Sequence, residues 1–252
     1  MFGLLKQMHM KQSVLHIGVF ALLLSACATH KNSVTIPSHT PVARVEKVLS
    51  AEEQKALTPE LVLESLKAGN DRFLNNDFTA RDHSKMVRDA SAGQYPQAVI
   101  ISCLDSRVSV EDTFDKGIGD LFIGRVAGNF VNTDLLGSIE YGCKVAGAKL
   151  VVVMGHQECG AIKSAIDNVQ LGNITAMLEN IKPAVEKSQD FTGGDKTSRN
   201  KEFLKYVTMN NVLLNVEKIR TQSPILLEME QKGEIRILGA IYDIHTGKVT
   251  FL

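Results

Sequence analysis

Cys103-Leu104-Asp105-Ser106-Arg107 follows an apolar run, Ala98 to Ser102, and His156-Gln157-Glu158-Cys159 follows a second one, Leu150 to Met154. Two strand ends in one sheet bring two thiolates and one imidazole together. Two sulfur donors and one nitrogen donor make a zinc site with one position left open, and an open position separates a catalytic zinc from a structural one. Taken singly, each residue has a plainer reading. A buried cysteine is usually a small apolar core residue. His156 alone fits a helix start, and Asp105 with Arg107 alone is a structural ion pair. All five at two strand ends point instead to metal chemistry.

Zinc held by three protein ligands lowers the pKa of its water from ~15.7 to roughly 7, so hydroxide is present at neutral pH. Thiolates donate charge and weaken this effect, which makes the surrounding hydrogen bonds important. Asp105 is placed to accept a hydrogen bond from the zinc-bound water. Arg107 offers a planar fork that holds a carboxylate by two bonds and keeps it ionised and aimed. Asp105 swinging onto the metal, closing the site, is the alternative.

The elements around these motifs alternate. Strands are expected at 97–102, 120–125, 149–154, 234–244 and 248–252. Helices are expected near 110–115, 133–147, from 160, and at 173–188, 200–221 and 224–231. The fold class is therefore α/β, a mostly parallel central sheet flanked by helices with an N-terminal helical arm. Ligands in such sheets bind beyond the carboxyl ends of the strands, where both motifs lie. Thr58 and Pro59 open a helix and mark the expected start of the folded domain, 58–252. Residues 81–93 are expected to be a polar loop, and Cys143 falls on an apolar helical stripe as a core residue.

The first 26 residues have the lysine start, apolar middle and small-residue end of a secretory signal. Leu24-Ser25-Ala26-Cys27 resembles a bacterial lipobox, which implies lipidation of Cys27 and anchorage to the periplasmic face of a membrane. Pro37, Pro41, scattered small polar residues and a charged run make 27–57 a tether, with a helix as the alternative for its latter part. Met10-Lys11 makes a more usual signal start than Met1. The chain has 252 residues and formal net charge zero, and losing 1–26 removes two lysines and no acid. Acyl chains rather than charge would hold it to the bilayer. The absence of a basic block with interleaved aromatics argues against nucleic acid as a partner. Three cysteines remain, which no pure disulfide framework accommodates.

The two motifs together resemble those of the β-class carbonic anhydrases, over about residues 58–252. The resemblance implies Cys103, His156 and Cys159 as ligands to one zinc per chain. It implies Asp105 and Arg107 as a catalytic dyad, and reversible hydration of carbon dioxide to bicarbonate as the reaction. It further implies substrate binding by Gln94, Phe122, Tyr141, Gly128 and Gly160, with Gly128 letting backbone approach the metal-bound group. Such sites lie at subunit interfaces, so a homodimer or higher homo-oligomer is expected. One branch of the family carries a regulatory bicarbonate pocket of Trp, Arg and Tyr. Ile100 stands where that Trp would be, with Arg125 and Tyr242 for the other two, so regulation of that type is not expected. His83 is a loose candidate for proton export. Hydrolysis of a sulfur analogue of carbon dioxide, or a zinc-binding module without catalysis, are the other readings the residues allow.

Overall fold

The structure, a computed structural model, describes residues 46–252. The signal segment 1–26, Cys27 and the first part of the tether lie outside the described residues. Among the described residues five strands form one sheet in the order β2-β1-β3-β4-β5. They are β1 (Ala98–Ser102), β2 (Leu121–Arg125), β3 (Leu150–His156), β4 (Arg236–Tyr242) and β5 (Val249–Phe251). The first four are parallel, and β5 returns antiparallel to β4. Helices α1 (Ala51–Lys55), α2 (Pro59–Leu74) and α3 (His83–Ala90) precede the sheet. Then α4 (Val110–Thr113) follows β1, and α5 (Thr133–Glu140) follows β2, running into a single π turn at Tyr141–Val145. Helices α6 (Gly160–Ile166), α7 (Gly172–Leu178), α8 (Lys182–Lys187), α9 (Lys201–Gln222) and α10 (Pro224–Gln231) complete the chain between β3 and β4.

Every residue of β1 and β3 is buried. Central strands covered on both faces read as unbroken apolar runs, which is what the sequence has there. Alternate side chains go to opposite faces. Val99, Ile101, Val151 and Val153 pack with Ile139, Val212, Ile219 and Leu226. On the other face, Ile100, Val152 and Met154 pack with Val62, Leu66, Val110 and Phe114. A third cluster combines Cys103 and Cys159 with Phe130, Ile162, Ile181, Phe203 and Val207. Cys143 is a core residue as expected, and burial pushes its thiol pKa up to about 12.

Several boundaries differ from the expectations. The stretch 81–93 is not all loop: Asp82 caps α3 through the Lys85 N–H, and Met86 is its buried anchor. Polar composition masked a helix with a single apolar contact. The helix expected over 173–188 is two, with Pro183 in the first turn of α8, where a proline is tolerated but the turn before it is broken. Strand β3 ends two residues later than expected and includes His156.

The expected tether, 27–57, also needs correction, because 46–57 packs on the domain. Thr58 caps α2 through the Leu61 N–H as anticipated. Before it, Ser50 and Glu53 form a reciprocal capping box on α1. The buried Gln54 amide donates to the carbonyls of Pro96 (2.7 Å) and Ala146 (2.8 Å). The Glu46 N–H donates to the Ala80 carbonyl at 3.0 Å. A charged segment is thus fixed by hydrogen bonds to backbone rather than by an apolar stripe.

Asp115 anchors the same side of the molecule. Its fully buried carboxylate accepts from Arg72 Nε (2.5 Å), Arg81 Nη2 (2.6 Å) and Thr79 Oγ1 (2.7 Å). Burial opposes its ionisation, but the bonds from Arg72, Thr79 and Arg81 prevail and lower its pKa to about 2. A carboxyl whose folded pKa is depressed contributes stability above its unfolded pKa and loses it as pH falls through the folded one. Asp115→Asn should therefore cost about 3 kcal/mol at neutral pH by stranding two arginines. It should also flatten the stability loss of the native protein between about pH 4 and pH 2, as read by urea denaturation across that range.

Candidate metal centre

Strands β1 and β3 are parallel neighbours in register, Ser102 opposite Met154, so their carboxyl ends open on the same side. Cys103 is the first residue past β1, and His156 is the last of β3. Glu158 takes a left-handed conformation, φ +57°. That turn brings Cys159 back as the N-cap residue of α6. The sulfurs of Cys103 and Cys159 stand 3.8 Å apart. With one His156 nitrogen, the three donor atoms lie within 4.8 Å of one another, all on buried residues.

The chemistry of this donor set fits a divalent metal. His156 Nδ1 is 2.8 Å from the Gln157 carbonyl oxygen. The tautomer that satisfies both groups carries its proton on Nδ1, leaving a lone pair on Nε2. That Nε2 is buried and has no hydrogen-bond partner among the described residues, a costly state for a polar atom unless a bound group takes it. The two thiols impose a second constraint. The hydrogen bond from Cys159 drives the Cys103 thiol well below its ordinary pKa. The same contact, with burial, drives Cys159 far upward. Without a cation only one of the pair ionises, whereas a metal binds both as thiolates. One nitrogen and two sulfurs suit zinc.

The dyad lies beside these donors. Arg107 Nε and Nη2 donate to Asp105 Oδ1 (2.9 Å) and Oδ2 (2.7 Å), and the Arg107 N–H adds a bond to Oδ1 at 3.0 Å. These bonds hold the Asp105 carboxyl well below the usual carboxylate range. Its Oδ2 is 3.8 Å from the unpartnered His156 Nε2.

Two further residues support the site: Gly128, expected beside it from the sequence, and Arg125, whose role there was not. Arg125, at the end of β2, donates from Nε to the Cys103 carbonyl (3.0 Å) and from Nη2 to those of Asp105 (2.7 Å) and Val108 (2.8 Å). It clamps the loop that carries Cys103, Asp105 and Arg107. Gly128, φ +86°, donates its N–H to the Cys103 sulfur at 3.4 Å. A Cβ there would lie 2.3 Å from Ile181 Cδ1, so only glycine brings backbone this close. The Gly128 carbonyl accepts from Asn211 Nδ2 of α9 at 2.8 Å. The only sequence signal for Asn211 and Asn215 was polarity amid Val207, Val212, Val216 and Ile219.

The other expected site residues are not brought to the cluster within one chain. Gln94 is exposed ahead of β1, at the end opposite Cys103. Phe122 pairs with Val99, four residues before Cys103 and so roughly 13 Å away along the strand. The half-exposed Tyr141 ring lies 6.3 Å from that of Phe122. Both line a groove of about 580 Å³ with Val99, Ile101 and Leu135, along the edge strand β2. Gly160 opens α6 directly after Cys159, with open space where a Cβ would be. His83 is exposed on α3, whose Met86 neighbours Gly117 ahead of β2, also at the far end of the sheet. Ile100 is core, and Tyr242 is buried opposite His156.

Arg125→Ala removes the donors of three loop carbonyls. The expected result is amide exchange that quickens over residues 103–108 and a zinc affinity roughly 10-fold weaker, measured by hydrogen exchange and chelator competition.

Comparison with known proteins agrees with this geometry. The profile of the family described as Carbonic anhydrase matches residues 98–249. Carbonic anhydrase 2 of Mycobacterium tuberculosis is 33% identical over 199 residues, spanning 75% of this chain and 91% of that protein. The carbonic anhydrase of Mycolicibacterium smegmatis is 33% identical over 198 residues, 76% of this chain and 92% of its own. A β-carbonic anhydrase of Aspergillus fumigatus superposes with TM-score 0.59 at 26% identity, covering 68% of this chain and 81% of that one. One from Sordaria macrospora, described as tetrameric, shares the fold with TM-score 0.58 at 23% identity, covering 77% and 94%. The matched span runs from β1 to β5 and contains the three donor residues and the dyad, and the chain belongs to the β-class carbonic anhydrases.

Proposed function

We propose that this enzyme interconverts carbon dioxide and bicarbonate with one zinc ion per chain, held by Cys103, His156 and Cys159. The observation that carries the proposal is the buried, unpartnered His156 Nε2 facing two close thiols with the Asp105 carboxylate alongside. Zinc held there would supply a water ionised near neutral pH as the nucleophile. The remaining work belongs to the chain. Asp105, ionised and gripped on both oxygens by Arg107, accepts a hydrogen bond from the nucleophile and directs its lone pair at the substrate carbon. Because Arg107 occupies both carboxylate oxygens, Asp105 is restrained from closing onto the metal. Arg125 holds the backbone from which both residues project. Its donors are committed to loop carbonyls, and Ile100 replaces an aromatic. Both support a site without bicarbonate regulation of the Trp-Arg-Tyr kind.

Gln94, Phe122 and Tyr141 complete a substrate pocket when a second copy lies across the β2 edge. An uncovered edge strand bearing half-exposed apolar groups supports that placement,. Gly128 and Gly160 present backbone beside the ligands. Export through 1–26 and a lipid on Cys27, facing the periplasm, remain the reading of the N-terminal sequence.

Asp105→Asn should lower hydration turnover roughly 100-fold or more while zinc stays at one per chain. Stopped-flow hydration with metal analysis on the same sample checks this, and undiminished turnover removes Asp105 from the mechanism. Cys159→Ser should be isolated with little zinc, whereas full occupancy would take Cys159 out of the ligand set. A wild-type enzyme with one zinc per chain and no hydration at any pH from 6 to 9 would overturn the carbon dioxide reading.

A further inference from the structure

We propose that Asn211 of α9 is a positioning residue for the metal ligand Cys103, acting through Gly128. Asn211 is buried, 1% exposed, and its Nδ2 donates to the Gly128 carbonyl at 2.8 Å. The same peptide unit is held at its other end, where the Asn129 N–H donates to the Val126 carbonyl at 3.0 Å. A peptide gripped at both its oxygen and its N–H cannot rotate. Residue 128 is thereby fixed at φ +86°, and its own N–H, on the preceding peptide, is aimed at the Cys103 sulfur.

Asn211 is itself secured. Asn215, one turn further along α9, donates from Nδ2 to the Asn211 carbonyl (2.8 Å) and to its Oδ1 (3.3 Å). Asn215 Oδ1 accepts from the Val131 N–H at 2.7 Å. Loop 126–131 is therefore tied to the helix at two points, the Gly128 carbonyl and the Val131 N–H, both just beyond the N–H that meets the sulfur. Ile181 and Ala161 close the space beside Gly128, so the loop cannot relax in that direction. None of these amides touches a donor atom of the cluster. Their common output is the direction of one N–H. A hydrogen bond to a ligand sulfur orients it and drains part of its charge, and groups that orient metal ligands typically set affinity as strongly as tenfold or more. The burial of two asparagines on an apolar helix face has its explanation here, since a leucine at 211 would leave the Gly128 carbonyl unsatisfied.

The proposal rests on the zinc reading of the cluster. It is tested on the full chain with Asn211→Ala, Asn215→Ala and, as comparator, Asn70→Ala. Asn70 makes buried bonds of the same kind to Thr113, Gly247 and Val249, away from the donors. Zinc affinity is read by competition with a chromophoric chelator, and the sulfur-to-metal charge-transfer band is read on the cobalt-substituted protein. Asn211→Ala should weaken zinc binding roughly 10- to 100-fold and shift the cobalt band, Asn215→Ala should do the same to a smaller degree, and Asn70→Ala should lower the melting temperature alone. A folded Asn211→Ala variant with wild-type zinc affinity and an unchanged cobalt band overturns the proposal. If that variant does not fold, wild-type values in Asn215→Ala overturn it equally. A wild-type chain that binds no zinc, or binds it equally after Cys103→Ala, removes the metal centre itself and the proposal with it.

Discussion

Two thiols stand 3.8 Å apart in a buried pocket, beside an imidazole nitrogen that has no hydrogen-bond partner among the described residues, a donor set better served by a cation than by its own protons. One sulfur ionises at the expense of the other. Everything nearby is built to hold this frustrated set in place. The parallel register of β1 and β3 sets the distance between the two motifs, the left-handed Glu158 returns Cys159 toward Cys103, and the Gln157 carbonyl fixes the histidine tautomer. A packed apolar cluster around Ile181 and Phe203 excludes water from behind the sulfurs. Stability alone would favour three apolar residues at these positions.

Around that centre, polar groups divide the labour by reach. Arg107 serves the Asp105 carboxylate, Arg125 serves the carbonyls of the same loop, and the α9 asparagines serve the loop opposite. Arginine suits the first two tasks because a planar fork meets several acceptors without rearranging. Asparagine suits the third because a buried neutral amide can donate and accept without the cost of a buried charge. The site is thus held from β1, β2, β3 and α9 at once, and each support comes from an element that the hydrophobic core has already fixed.

The sequence revealed the donors, the dyad and the α/β order, because apolar runs of strand length ending in cysteine, histidine and aspartate are local signals. Gly128 was legible for the same reason, as a glycine in the loop after a strand. Arg125 and Asn211 were noted or passed over without their roles, since three carbonyl acceptors and a buried amide leave no periodic pattern. The stretch 46–57 looked like a tether because its one deep contact, Gln54, is polar and bonds to backbone more than 40 residues away. The helix α3 was hidden by carrying a single buried residue. Gln94, Phe122 and Tyr141 were recognisable only by resemblance, and one chain places them along the far half of the sheet.

Cys103 and Cys159 are separated by 56 positions, and the intervening chain includes β2, α5 and β3 itself. Cys103 does not approach His156 or Cys159 until β1 and β3 have paired, so the full donor set exists only in the assembled sheet. Closing a long loop costs entropy before any contact repays it. A metal that binds only the finished arrangement adds stability by mass action, in proportion to the logarithm of its free concentration over its dissociation constant. A cation held by all three donors would thereby couple the durability of this fold to metal supply. Its loss would fall on the completed domain, by raising the rate of opening, and would leave the speed at which the chain first assembles largely untouched.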